Sequence, residues 1–151
     1  MITLQRETLY EVVDEVAPLL EEHYQELCLN KDKIALEPCW DRYTAFERED
    51  GLLLYTARAD KELVAYAAFF SSFHPHYASL RLVSNDVLFL KKEHRTGRTG
   101  IRLIKFCEEQ ITAKYGQGFA LTWHAKEHTP LADMLKRIDY RVQDIVLSKL
   151  F

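Results

Sequence analysis

The sequence predicts an α+β protein, one domain over residues 1–151 with elements in the order β-α-α-β-β-β-α-β-α-β. Three observations predict it. Apolar residues recur at helical spacing near the start and again over 99–115. Three strand-like runs follow one another closely between 52 and 90. A basic turn with two glycines, at 95–100, separates an apolar strand from a helix. The chain is 48% hydrophobic and 28% charged, ordinary for a globular protein, and 151 residues suffice for one core.

The elements follow in order. Residues 2–5 form a short first strand. Thr8 and Glu11 have the spacing of a capping box, and Leu9, Val12, Val13, Val16, Leu20, Tyr24 and Leu27 continue at helical period. Pro18 inside this run predicts a kink or break near Ala17. Trp40, Tyr43 and Phe46, spaced by three, predict a second helix over 39–49 that Gly51 ends. Residues 52–59 and 63–70 are strands joined by the turn Asp60-Lys61. A loop over 71–79 holds His74, His76 and Tyr77, and a long strand runs over 80–90. The helix over 99–115 buries Ile101, Ile104, Cys107 and Ile111 on one face. Phe119, Leu121 and Trp123 alternate with polar or small residues, a half-buried strand. Thr129 and Pro130 open a short helix to about 138, and 140–151 reads as one or two strands.

Composition excludes several classes of function. A net charge of −3 argues against a general nucleic-acid binder, although Arg81, Lys91, Lys92, Arg95, Arg98 and Arg102 form a local basic set. Cys28, Cys39 and Cys107 fit neither a disulfide framework nor a zinc site, and His74 and His76 lack a third ligand nearby, so no metal is expected. No apolar run approaches membrane-spanning length and no leader is evident, so no membrane partner and a cytoplasmic location are expected.

The turn at 95–100 carries the chemistry. Glycines let a ligand approach the backbone, amides at the helix start point outward, and the helix dipole favours negative charge. Two arginines, Arg95 and Arg98, suit phosphate oxygens. The combination reads as a pyrophosphate site.

The order of elements, with this turn between the fourth strand and third helix, resembles the GNAT superfamily of N-acetyltransferases. The family's acetyl-CoA motif is [RQ]-x-x-G-x-[GA]; Arg95-Thr96-Gly97-Arg98-Thr99-Gly100 matches its first and last positions, with Arg98 where glycine is usual. Leu103 and Ile104 match the apolar pair that follows, and Lys92 stands where proline is common. Near the C-terminus, His128, Leu131, Asp139 and Tyr140 fall in the register of a second family motif, and Leu135 stands where the family places a tyrosine that is often the general acid. Asp139 replaces a glycine, and aspartate tolerates the left-handed backbone. The overall layout looks most like the small members that bacteriophages encode, which would place the chain in host cytoplasm.

The resemblance implies a mixed central sheet of 6–7 strands, about four flanking helices, and a splay between the fourth and fifth strands. It implies acetyl-CoA as cosubstrate and transfer of its acetyl group to a primary amine, of a small molecule or a protein, by direct attack in a ternary complex. The cofactor-binding set it implies is Leu88, Phe89 and Leu90 for the pantetheine arm, with an amide near Phe89 or Leu90 polarising the thioester. Arg95, Thr96, Gly97, Arg98, Thr99, Gly100 and Ile101 would hold the pyrophosphate. Asp86, mid-strand among apolar residues, is the first candidate for the base; it marks either a cleft or merely a bulge. His76, with His74, lies on a loop expected to border the substrate cleft. His124 either approaches the thioester or hydrogen-bonds in the core. Tyr77, Tyr140 and an ordered water are the remaining candidates for the acid. A catalytically weak module that binds CoA or a host protein is the alternative, with a monomer or homodimer expected for either.

Overall fold

A computed structural model describes residues 1–151. Its elements are β1 (Ile2–Glu7), α1 (Leu9–Leu27), α2 (Trp40–Arg48), β2 (Leu52–Ala59), β3 (Glu62–His74), β4 (Tyr77–Leu90), α3 (Thr99–Tyr115), β5 (Phe119–Thr122) and α4 (Leu131–Lys136). A single 3-10 turn, Lys92–His94, follows β4. No helix is long and apolar enough to cross a membrane.

Helix α1 starts where the sequence says it should. The Thr8 side chain accepts from the Glu11 amide, and the Glu11 carboxylate accepts from the Thr8 amide. The next two free amides, of Leu9 and Tyr10, donate to the Glu47 carboxylate of α2 at 2.6 and 3.3 Å. This cap ties α2 to α1. Helix α1 runs through Pro18 as one element, so of the kink or break expected near Ala17 the break does not occur. Burial of Val12, Val16 and Leu19 on either side of the proline holds the two halves to the sheet.

The sheet has five strands in the order β1-β2-β3-β4-β5, fewer than the 6–7 expected. Strands β1 to β4 pair antiparallel, and β5 joins β4 in parallel. The missing strands are those expected in 140–151, which has no regular structure and leaves Val142, Ile145, Val146, Leu147 and Phe151 exposed. The segment expected as a loop over 71–79 is instead the end of a long hairpin, with Ser71–Phe73 paired to Arg81–Val83 and His74 to Tyr77. The turn Asp60-Lys61 has both residues at positive φ, 47° and 82°, as a tight hairpin of right-handed strands requires.

Period-two alternation divides the buried residues between two layers. Leu53, Tyr55, Val64, Ala67, Phe69 and Val83 pack with Leu103, Cys107 and Ile111 of α3. Leu52, Leu54, Leu63, Tyr66, Ala68 and Phe89 pack with Leu9, Val12, Val16 and Leu19 of α1.

One ion-pair network locks β1, β2 and α1 together. The Arg58 guanidinium bonds Glu7 at 3.0 Å and Glu15 at 2.7 Å, and Thr56 donates to Glu7. Burial pushes the Glu7 pKa up, but hydrogen bonds from Arg58 and Thr56 outweigh it, so the carboxyl titrates below its usual range. A depressed carboxylate stabilises the fold above its unfolded pKa, about 4.3 for glutamate, and that stability is lost as pH falls through the lower folded value. An Arg58→Met variant leaves the partly buried Glu7 carboxylate without a counter-charge, held only by the Thr56 hydroxyl, and frees Glu15. It is expected to lose about 3 kcal/mol in urea unfolding at pH 7. Below pH 4 the difference from the parent chain should shrink.

Candidate active site

The site begins where two parallel strands part. Residues Arg81–Ser84 of β4 pair with Phe119–Thr122 of β5, and no pairing continues beyond Ser84 and Thr122. β4 goes on for six more residues, to Leu90. Just past the fork, β4 carries a bulge. Val87 pairs with Ala68 and Asn85 with Phe69, which leaves Asp86 as the extra, unpaired residue. The bulge turns β4 away from β5 and aims Asp86 outward.

The Asn85 side chain holds the fork. Its Oδ1 accepts from the His124 amide at 2.5 Å, and its Nδ2 donates to the His124 carbonyl at 3.4 Å. A side-chain amide thus replaces one rung of the ladder at the point where the backbones diverge. His124 stays at the mouth, with Nε2 3.0 Å from Ser84 Oγ.

Beyond the fork β4 has an open edge. The Lys91 amide donates to the Val64 carbonyl at 2.9 Å. In an antiparallel ladder bonded residues alternate, so Phe89 and Val87 also direct their peptide groups at β3. The peptide groups of Leu88 and Leu90 face the open edge, and Leu90 O there accepts from Arg95 Nε at 2.8 Å. The free amide expected near Phe89 or Leu90 is therefore that of Leu90; the Phe89 amide is used within the sheet.

A cavity of about 980 Å³ fills the split. Its walls are Asp86–Leu90, His23 and Leu27 of α1, the tip of α3, and Leu131 and Met134 of α4. Leu88, Phe89, Leu90, Arg95, Gly97, Gly100 and Ile101 line it, as do Asp86 and His124. Thr96, Arg98 and Thr99 do not line it, although they belong to the same turn. None of the amides of residues 96–101 donates to a protein acceptor; the first bond of α3 is Arg102 N to Arg98 O at 2.9 Å. Gly97, at φ 77°, gives the turn a left-handed step that glycine takes without strain. Gly100 faces Met134 at 3.5 Å from where a Cβ would lie, ordinary contact, so the motif's alternative alanine fits there.

Two expectations change. The Arg95 guanidinium does not point at the turn's open donors. It forms a two-pronged ion pair with Glu26 of α1 and lies 5.4 Å from the centre of the Phe89 ring. The hydrogen bonds from Arg95, against weaker burial, hold the Glu26 carboxyl below its usual range. His76 sits at the far hairpin tip, outside the cavity, with its amide donating to His74 Nδ1 at 3.0 Å. Positive charge at the cavity comes instead from Lys126 and Arg137, which the sequence reading missed because they lie outside any motif.

Asp86 is exposed on the wall, and Tyr43 donates its hydroxyl to Asp86 Oδ2 at 2.5 Å. Burial and this carboxylate both push the Tyr43 hydroxyl pKa up, so it stays a donor. Asp86 Oδ1 has no protein partner. Leu135 is buried, and Tyr140 donates to Glu108 at 2.8 Å outside the cavity. Asp139 takes the expected left-handed conformation, φ 72°.

No family model matches this sequence, and no curated sequence matches it. Solved structures match over nearly the whole chain. A GCN5-related N-acetyltransferase from Ralstonia eutropha JMP134 superimposes with a TM-score of 0.79 at 14% identity, covering 99% of each chain. A ribosomal-protein-alanine N-acetyltransferase from Brucella melitensis biovar Abortus 2308 gives 0.70 at 17%, covering 100% of this chain and 99% of that one. A predicted acetyltransferase from Clostridium acetobutylicum, solved with acetyl-CoA, gives 0.69 at 12%, covering 99% and 96%. The chain has the fold of GNAT-type acetyltransferases.

Replacing Asn85 with leucine removes both bonds across the fork and strands the His124 amide. Urea unfolding should show a loss of about 1–3 kcal/mol. Amide exchange should quicken first at Phe119–Thr122, the strand the asparagine secures.

Proposed function

We propose that this chain is an acetyl-CoA-dependent N-acetyltransferase that acts on a primary amine of a small molecule or protein, by direct attack in a ternary complex. One observation carries the reading: a cavity opens in the parallel strand split, with unused backbone donors at the tip of α3 on its rim. The shared fold, and acetyl-CoA in one of the matched structures, support it.

The residues fit the group. The amides of 96–101 suit a pyrophosphate, with Lys126 and Arg137 adding charge. The open edge at Leu88 and Leu90 suits an extended amide-bearing arm, which would join β4 as a further strand. Bound acetyl-CoA would supply a thioester whose carbonyl carbon accepts the amine nitrogen: the C–N bond forms, the C–S bond breaks, and sulfur leaves as thiolate. Asp86 Oδ1 takes the amine proton, while Tyr43 fixes the carboxylate through Oδ2. His124 lines the mouth, its ring held by Ser84 beside the place where the thioester would lie. With Leu135 buried, the thiolate takes its proton from water. Localisation in the cytoplasm and a monomeric or homodimeric state belong to the same proposal. The bacteriophage-type subclass rests on sequence layout, and the unpaired tail removes one of its features.

A second reading draws on buried Leu135: the fold binds CoA, or a host protein, without catalysing transfer. Calorimetric titration with acetyl-CoA should show saturable binding; no heat and no thermal shift at millimolar ligand would remove both cofactor readings. Thiol release with a panel of amines should then separate them. Under the leading reading, Asp86→Asn should lower turnover by about 100-fold or more while acetyl-CoA still binds. Unchanged turnover would clear Asp86 of the role, and tight binding without release from the parent chain would favour the second reading.

A further inference from the structure

His23 and Tyr66, on the α1 side of the cavity, have no part in the scheme above. The His23 ring stacks on Phe89, with centroids 4.8 Å apart and planes 14° apart. Phe89 lies between Leu88 and Leu90, the residues whose peptide groups face the open edge. The ring therefore sits beside the stretch of β4 that would hold the thioester arm. His23 Nδ1 is 2.8 Å from the Tyr66 hydroxyl.

That contact sets the tautomer. Tyr66 is 1% exposed, and His23 Nδ1 is the one hydrogen-bond partner of its hydroxyl. A buried O–H needs an acceptor. Tyr66 satisfies this only by donating to Nδ1, so Nδ1 carries no hydrogen and the ring proton is on Nε2. A doubly protonated ring would point Nδ1–H at the hydroxyl and leave the Tyr66 hydrogen without an acceptor. The charges of Glu26 on the same helix, Arg95 after β4 and Lys126 after β5 also act on the ring. Burial first, then Lys126, lower its pKa to about 4, against the opposing pull of Glu26. The imidazole is therefore neutral at physiological pH. Nε2 has no protein acceptor, and His23 lines the cavity.

We propose that His23 is a fixed, uncharged hydrogen-bond donor, set by Tyr66, whose Nε2–H serves the acyl oxygen of the bound thioester as negative charge develops there. The proposal rests on the acetyl-transfer reading. A donor already locked in place needs no reorganisation when charge appears, which is the basis of oxyanion stabilisation. Because the ring is neutral, it does not repel a cationic amine entering the cavity. His23 transfers no proton: the amine proton goes to Asp86, the C–S bond breaks as the C–N bond forms, and sulfur is protonated by water.

The tautomer is tested first, by long-range proton–nitrogen NMR of the histidine rings in the intact chain. The expected result is one ring with hydrogen on Nε2 and none on Nδ1, not titrating above pH 5. Tyr66→Phe should release this preference to a mixture. Hydrogen on Nδ1, or a ring that charges near pH 6.5, overturns the proposal. Kinetics test the role. His23→Phe keeps the stack but removes the donor, and should lower kcat by about 100-fold or more with acetyl-CoA affinity unchanged. His23→Gln, which retains an N–H, should recover part of that loss. An unchanged kcat, or a loss confined to KM or to acetyl-CoA affinity, overturns the assignment. If the parent chain releases no thiol with any amine, the acetyl-transfer reading fails and the acyl-oxygen role fails with it. The NMR result still decides separately whether the donor exists.

Discussion

The parting of β4 from β5 is the constraint on which the rest depends. A parallel pair that stayed zipped would use the peptide groups of Leu88 and Leu90 that β3 leaves free, and would leave no cavity. Two local features force the separation and then limit it. The bulge at Asp86 turns β4 aside, and the Asn85 amide stops the fork from running back toward Arg81. Hydrogen-bonding capacity that a sheet would normally consume internally is left facing the split.

The site is assembled from elements that share little sequence. α3 brings unused amides, β4 an open edge and a carboxylate, α1 an imidazole, and the segment from Lys126 to Arg137 positive charge. The two helices are anchored by close packing away from the cavity: α3 through Cys107 and Ile111, and α1 through Val12, Val16 and Leu19. The Arg95–Glu26 pair joins these two supports at the rim. It spans the two layers of the fold, so Arg95, bonded to Glu26 and to the Leu90 carbonyl, holds α1 against β4.

Much of the fold was legible in the sequence because periodicity is a local property. The bounds of β2 and α3 emerged within a residue, and the Thr8–Glu11 box marked the start of α1. Asp139 was legible as a left-handed residue for the same reason. The errors have one physical origin. The tail over 140–151 alternates like a strand, but a strand needs a partner, and the sequence does not say whether one is present. The 71–79 segment has turn residues, yet only Pro75 and His76 turn, because Ser71–Phe73 found partners across the hairpin. His76 was read as bordering the cleft from its loop, and the extended hairpin carries it away.

By itself, the sequence determined the period of most elements, the capping box that starts α1 and the glycine-bearing basic turn before α3, since all of these depend on residues a few positions apart; the cap expected at Thr129 does not form, and α4 starts from Pro130 with no side-chain bond. The tertiary structure alone decided partners. Glu26 reaches Arg95, Asn85 reaches His124, His23 reaches Tyr66 and Tyr43 reaches Asp86 across 69, 39, 43 and 43 positions of chain. Side chains of the same type elsewhere could have made each bond equally well on chemical grounds. Which ones meet is set by how the sheet twists, bulges and splits, and that geometry emerges only when the whole chain packs.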